Sequence, residues 1–275
     1  MLVDTGYWTH AKQTEALLRQ TLGQRPLTHI LNTHLHSDHC GGNSHLQSAF
    51  PRVRTYIPPG HAPYVDDWNP QVLTYAPTGQ HCPPFVKTDV LHDGDAFVVA
   101  CQTWRVHTAP GHDPHSVVLF NETDGVLISA DALWENGFGV VFPEIEGVRA
   151  FDEVASTLRV IEQLKPKLVL PGHGRPFDDV ADALTRARSR LAQFRQAPDK
   201  HASYAAKVLL KFKLLELQKS KLTDYLTWAQ STSYLQLLHA TYGNAIAFDA
   251  WVMTLCSGLE KAGACTLTHD EITNT

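Results

Sequence analysis

The stretch Thr33 to Asn43, THLHSDHCGGN, constrains this chain more than any other. Its residues His34, His36, Asp38 and His39 put four metal-ligating side chains within six positions. Neutral imidazoles and a carboxylate are donors that zinc, iron and manganese all accept. The alternating spacing aims His34 and His36 the same way and leaves Asp38 and His39 free to turn toward a second ion. Scattered histidines would carry little meaning in a chain that has 16 of them. Clustered ones do, because imidazoles and carboxylates packed together without a cation leave polar groups unsatisfied and like charges in contact.

Further ligands are expected where strands give way to turns. His112 ends Ala109-Pro110-Gly111-His112, after the apolar run Trp104 to Thr108. Asp131 follows Val126 to Ala130, and His173 sits in Pro171-Gly172-His173-Gly174 after Lys167 to Leu170. Three separate strand ends thus deliver one ligand each. Cys40 follows His39 directly and a thiolate binds zinc well. It is nevertheless read as a small core residue, since seven other ligands are better placed and Gly41-Gly42 lead into a helix.

These motifs, THLHSDHCGGN at 33–43, APGHDPHS at 109–116, SAD at 129–131 and PGHG at 171–174, resemble in order and spacing the metallo-β-lactamase fold superfamily. The likeness runs from residue 2 to about 178 and favours the hydrolase branch of glyoxalase II and the lactonases. It implies an αβ/βα four-layer sandwich in which His34, His36 and His112 bind one divalent ion and Asp38, His39 and His173 bind another. Asp131 would bridge the two. The implied cofactor is a pair of ions, zinc first, with iron or manganese as alternatives. Members of that family usually carry strands ahead of the segment that is Leu2 to Gly6 here, so either the first strands are missing or another surface covers the sheet edge they would have protected. Asp113 and His115 stand where many relatives have Thr and Gly, and His115 is either a donor to a ligand or an exposed turn histidine.

The remaining pattern is α/β. Helices are expected at 9–22, 43–50 and 151–164, and strands at 27–32, 53–57, 86–91, 96–100, 103–108, 117–120, 126–129 and 167–170. After Pro176 helical signals dominate: 181–194, 203–218, 222–229, 232–241 and 245–259. Residues 1–178 are therefore assigned to a catalytic domain and 179–275 to a helical extension, loosely similar to the helical or winged-helix extensions of some family members. Charge follows the same division. Residues 1–180 hold 12 Lys and Arg against 20 Asp and Glu (net −8), and 181–275 hold 11 against 8 (net +3), which sum to the chain's −5.

That modest +3 makes a weak polyanion binder. Although Lys207, Lys211, Lys213, Lys219 and Lys221 lie close together, the stripe Tyr204, Val208, Phe212 and Leu215 favours packing over nucleic acid. No apolar run of about 18 residues and no charged-then-apolar N-terminus is present, so no membrane span or leader is predicted. Five irregularly spaced cysteines read as reduced thiols, and the expected setting is cytoplasmic, with a homo-oligomer left open.

Function follows from the paired ions. The leading expectation is a dinuclear metal-dependent hydrolase of a small ester, lactone or thioester, acting through a metal-bridging hydroxide. Asp38 and Asp131 are its catalytic carboxylates: the first accepts or orients a proton, and the second sets the intermetal distance. Tyr64, Trp68, Tyr75 and Phe85 in the long segment Pro58 to Phe85, with Trp134 and Phe138, are candidates to line an apolar pocket for the small-molecule substrate. No basic cluster for the carboxylates of glutathione is recognisable. The alternatives are a phosphodiesterase or nuclease of the same fold, or an iron-dependent persulfide dioxygenase.

Overall fold

Strands β1 (Leu2–Val3), β2 (His29–Leu31), β3 (Arg54–Ile57) and β4 (Asp89–Val90) form one sheet, each pair parallel. Parallel neighbours require crossovers. Helix α1 (Ala11–Leu22) supplies the first, and α2 (Ser37–Cys40) with α3 (Asn43–Ala49) supplies the second; α4 (Ala62–Asp66) follows β3. Leu18 and Leu22 of α1 and Leu46 of α3 pack with Leu2, Leu27, Ile30, Phe50 and Val53, which seals one face of the sheet.

A second sheet runs β5 (Ala96–Val99), β6 (Gln102–Thr108), β7 (Val117–Asn121), β8 (Val126–Ala130) and β9 (Leu168–Pro171), antiparallel except for the parallel pair β8–β9. All five residues of β7 are buried, as expected for a central strand covered on both faces. Leu31, Tyr56 and Leu91 meet Val106, Val117 and Leu119 in the core between the sheets. After α5 (Phe142–Ile145), α6 (Phe151–Leu164) buries Val154, Thr157, Leu158 and Ile161 at helical spacing. Lys165 ends it in the left-handed conformation (φ 52°), ahead of Pro166, which cannot extend a helix. The result is an α/β sandwich, as the sequence indicates.

This computed structural model describes residues 1–275. The chain divides into two compact units, Met1–Leu73 with His81–Arg195, and Thr74–Gln80 with Gln196–Thr275. Helix α7 (Val180–Gln196) thus belongs almost wholly to the first unit, whereas the sequence reading places it in the extension. The second unit holds α8 (Pro198–Leu217), β10 (Lys219–Lys221), α9 (Leu222–Ser231), α10 (Ser233–Leu238), a π-turn at His239–Gly243, α11 (Phe248–Lys261), β11 (Cys265–Leu267) and β12 (Glu271–Asn274). Its sheet order β10-β12-β11 is antiparallel throughout. The helices match the sequence signals closely, but the three strands carry none, because three or four residues are too short to display a period. No helix of the chain is long and apolar enough to cross a membrane.

Candidate metal centre

Strand directions place the site. Because β7 runs antiparallel to both β6 and β8, and β9 parallel to β8, the carboxyl ends of β6, β8 and β9 open at one end of the sheet. The loops there deliver His112, Asp131 and His173. The start of β7 lies at the same end and takes hold of the other sheet, since Val117 N–H donates to the Thr33 carbonyl (2.8 Å). That contact brings in His34 and His36, and α2 carries Asp38 and His39. Beneath α2, Thr5 N–H and the Asn32 amide both donate to the His39 carbonyl (2.7 and 3.1 Å), and Asn43 donates to Asn32 Oδ1 (2.7 Å).

All seven residues singled out from the sequence converge. Ligand atoms of His34, His36 and His112 lie within 4.8 Å of one another, as do those of His34, His39 and Asp131, and those of Asp38, His39 and His173. His112 Nε2 is 2.8 Å from His36 Nδ1 and 3.3 Å from His34 Nε2. Asp131 divides its oxygens, with Oδ2 at 3.4 Å from His112 Nε2 and Oδ1 at 3.4 Å from His39 Nε2 and 3.6 Å from His173 Nε2. His173 Nε2 also approaches Asp38 Oδ2 at 3.2 Å, with the His173 side chain 48% exposed and the other groups largely enclosed. A cavity of about 400 Å³ adjoins Asp38 and His39, walled by Asp4, Thr5, Ala130 and Pro171 among others.

Hydrogen bonds around the rings fix their tautomers, and this tests whether a cation fits. Thr33 Oγ1 gives its single proton to Asp4 Oδ2 (2.7 Å), so at 3.1 Å it must accept from His34 Nδ1. His39 Nδ1 donates to Asp4 Oδ2 (2.7 Å), and His112 Nδ1 donates to the Val140 carbonyl (2.5 Å). In their neutral forms His34, His39 and His112 therefore all present bare Nε2 lone pairs to one space. His39 Nε2 is buried without a hydrogen-bond partner. Converging lone pairs and carboxylates match the donor set of a borderline divalent cation, with the far ring nitrogens held by oxygen partners as in known metal sites. Backbone shape agrees: a Cβ on Gly172 would meet Asp131 Oδ1 at a distance shorter than any real contact, and one on Gly139 would strike the His112 ring.

The electrostatics fit the same picture. Burial holds the His34 imidazole well below its ordinary value and, with His112 beside it, brings His36 down to about 4. His112 is likewise lowered by burial, against the pull of Asp131. Burial would lower His39 too, but Asp131, Asp4 and Asp38 surround it and raise it well above the usual imidazole range. Burial works against the Asp38 carboxyl, yet His39 and the hydrogen-bonded His173 hold it down to about 2. Five neutral or cationic imidazoles around ionised carboxylates is an arrangement ready to exchange a proton for a metal ion.

The family model described as "Metallo-beta-lactamase superfamily" matches residues 1–173. The chain belongs to the metallo-beta-lactamase superfamily. It is 28% identical over 148 residues to the "Probable metallo-hydrolase YqjP" of Bacillus subtilis, covering 50% of this chain and 45% of that protein. It is 33% identical over 131 residues to a "Hydroxyacylglutathione hydrolase" of Gloeobacter violaceus, covering 46% and 42% respectively. The chain thus spans about half the length of the curated relatives it matches. Among solved structures, a "Beta-lactamase domain protein from Burkholderia ambifaria" superposes with TM-score 0.58 at 25% identity, covering 87% of this chain and 77% of that one.

Within this metallo-beta-lactamase site, sequence reasoning missed Asp4, which anchors both His39 and Thr33. Its only signal is the strand-to-turn pattern Val3-Asp4-Thr5-Gly6, and its backbone is left-handed (φ 55°). Ala130, ahead of Asp131, is also left-handed (φ 46°), a strain found where a side chain must be aimed. The apolar-pocket reading needs correction at two aromatics. Phe138 is 1% exposed and packs edge-on to Phe194 of α7, and Tyr75 is 2% exposed within the second unit. Trp68 and Phe85 pack on each other, while Tyr64 is exposed. His115 lies edge-on to His61 and against Gly60, outside the converging set. Cys40 is fully buried, its thiol directed at the Leu35 and His36 carbonyls and 3.8 Å from Cys82 Sγ.

Proposed function

We propose that this chain is a dinuclear metal-dependent hydrolase of a small ester, lactone or thioester, with zinc as the first choice of metal. The observation that carries the reading is the division of Asp131, one oxygen toward His112 and the other toward His39 and His173, at the meeting point of the two histidine groups. In it, His34, His36 and His112 hold one ion, Asp38, His39 and His173 hold the second, and Asp131 is shared. Divalent cations held by these groups supply Lewis acidity and bring the pKa of water they contact close to 7. The chain's own contribution is to fix ring orientations through Asp4, Thr33 and Val140, to keep Asp38 ionised as a proton acceptor, and to leave the His173 side open.

The hydroxyacylglutathione hydrolases among the relatives support a thioester or a related acyl compound as substrate. A phosphodiesterase draws little support from the lysines of the second unit. Lys211 Nζ is held by the Ala264 carbonyl (2.6 Å) and Asn274 Oδ1 (2.5 Å), Lys213 pairs with Glu216, and Lys219 pairs with Glu271. Five free cysteines accord with the reducing, cytoplasmic setting that belongs to this reading.

The test is a panel of chromogenic thioester, lactone and phosphodiester substrates on protein of measured metal content, with oxygen consumption followed in parallel. We expect acyl substrates to be cleaved, no oxygen to be consumed, and Asp131→Ala and His112→Ala to lose turnover while keeping the circular dichroism of the fold. Phosphodiester cleavage in preference, oxygen uptake, or turnover retained in either variant would overturn the reading.

A further inference from the structure

We propose that Trp134 positions the shared carboxylate Asp131, and that α7 holds Trp134 in place through Arg186 and Arg190; this rests on the metal centre proposed above. The indole Nε1–H donates to Asp131 Oδ1 at 3.3 Å, and the ring stands edge-on to His173 with centroids 5.2 Å apart. A carboxylate oxygen has two lone pairs. With one of them taken by the indole, Oδ1 keeps the other for the side of His39 and His173, while Oδ2 faces His112. The indole N–H thus fixes the direction in which the remaining lone pair of Oδ1 points, on the side of His39 and His173.

The indole is itself held by a built structure. Trp134 and Gly137 close a tight hairpin through Trp134 N–H to the Gly137 carbonyl (2.7 Å) and Gly137 N–H to the Trp134 carbonyl (3.4 Å). Its two central carbonyls are taken by α7, with Arg186 Nε donating to Glu135 (2.7 Å) and Arg190 Nη1 to Asn136 (3.1 Å). Gly137 has φ 126° and sits so close to the Arg190 guanidinium that a Cβ there would overlap it. Arg190 in turn lies over the Phe194 ring at 5.6 Å, and Phe194 packs on Phe138. The hairpin therefore takes its shape from α7, a helix that contributes no ligand.

Because the indole acts on the oxygen facing His39 and His173, its loss must fall on the ion at Asp38, His39 and His173. Partners of metal ligands are commonly worth about 10- to 100-fold in metal affinity. The experiment is Zn2+ titration of the metal-stripped full chain by calorimetry with a competing chelator, for wild type, Trp134→Phe and Arg190→Met. We expect wild type to take two ions, Trp134→Phe to bind the first unchanged and the second at least about 10-fold more weakly, and Arg190→Met to show the same one-sided loss at smaller size. Two ions bound as in wild type by both variants would overturn the proposal. So would equal weakening of both ions, which marks a general structural role. Should Trp134→Phe fail to fold, Arg190→Met decides alone by the same criterion. Wild type that binds fewer than two ions would instead sink the dinuclear reading itself, and this proposal with it.

Discussion

Asp4 Oδ2 accepts from His39 Nδ1 at 2.7 Å and from Thr33 Oγ1 at 2.7 Å, so one carboxylate oxygen orients ligands from both histidine groups. Asp4→Ala removes both supports and also the acceptor for the Thr33 N–H. The expected result is a fall of about 10- to 100-fold in metal affinity. Stripped of metal, the variant is expected to lose about 1–3 kcal/mol from the buried donors left without partners. Metal titration and chemical denaturation in chelator measure the two effects separately. Unchanged affinity would show that His39 is oriented by its backbone alone.

Gly172→Ala tests the space between ligands. The new Cβ would lie within contact-violating distance of Asp131 Oδ1 and 2.9 Å from His39 Cε1. Relief requires one of those groups to leave, so metal binding is expected to fail with a stability cost of about 1–3 kcal/mol. A variant that binds metal and melts like wild type would show that the loop moves freely.

Metal uptake will release protons. In the metal-free protein the carboxylates around His39 raise its pKa despite burial, and a cation must displace the proton it holds. Calorimetric loading near pH 6.5 in two buffers of different ionisation enthalpy measures that proton; observed heats that do not differ between the buffers would refute it. The sign for stability differs among the groups. His39 contributes stability in full below about pH 6.5, and this is lost as pH rises through its elevated folded value. His36, held down to about 4, works oppositely: the unfolded chain takes up the proton first, so stability falls as pH drops from about 6.5 toward 4. Asp38 adds stability above about pH 3.9 that is lost as pH falls toward 2. Melting of chelated protein from about pH 8 to about pH 3 is expected to decline on the acid side first through the histidines.

Lys211→Met will destabilise the second unit by about 1–3 kcal/mol, since it leaves the Ala264 carbonyl and the Asn274 amide without their charged donor. Acyl-substrate turnover is expected to be unchanged. A loss of turnover with no change in unfolding would revive a substrate-binding role for the basic tail.

The converging residues were legible in the sequence because His112, Asp131 and His173 each sit in a turn after an apolar strand, and His34, His36, Asp38 and His39 cluster within six positions. Helix α6 was legible too, from Val154, Leu158 and Ile161 at one-turn spacing. Asp4 was not, because a lone acid after a two-residue strand looks like any turn residue until His39 folds over it. Helix α2 has only four residues and no period to read. Phe138 and Tyr75 misled because an aromatic ring is equally at home in a pocket wall and a core, and only the tertiary partners, Phe194 in the case of Phe138, decide between them. The role of Trp134 depends on a hairpin whose shape is set by arginines some fifty positions away, at sequence separations of 51 and 54.

The uneven enclosure of the centre has a kinetic meaning. His34 and His112 are shut in by the protein, whereas nearly half of the His173 side chain meets solvent. On the dinuclear reading proposed above, an ion on the His173 side would exchange faster than one at the buried histidines, so a preparation short of metal would contain half-filled molecules. Its specific activity will then record how the sample was handled as much as what the polypeptide can do.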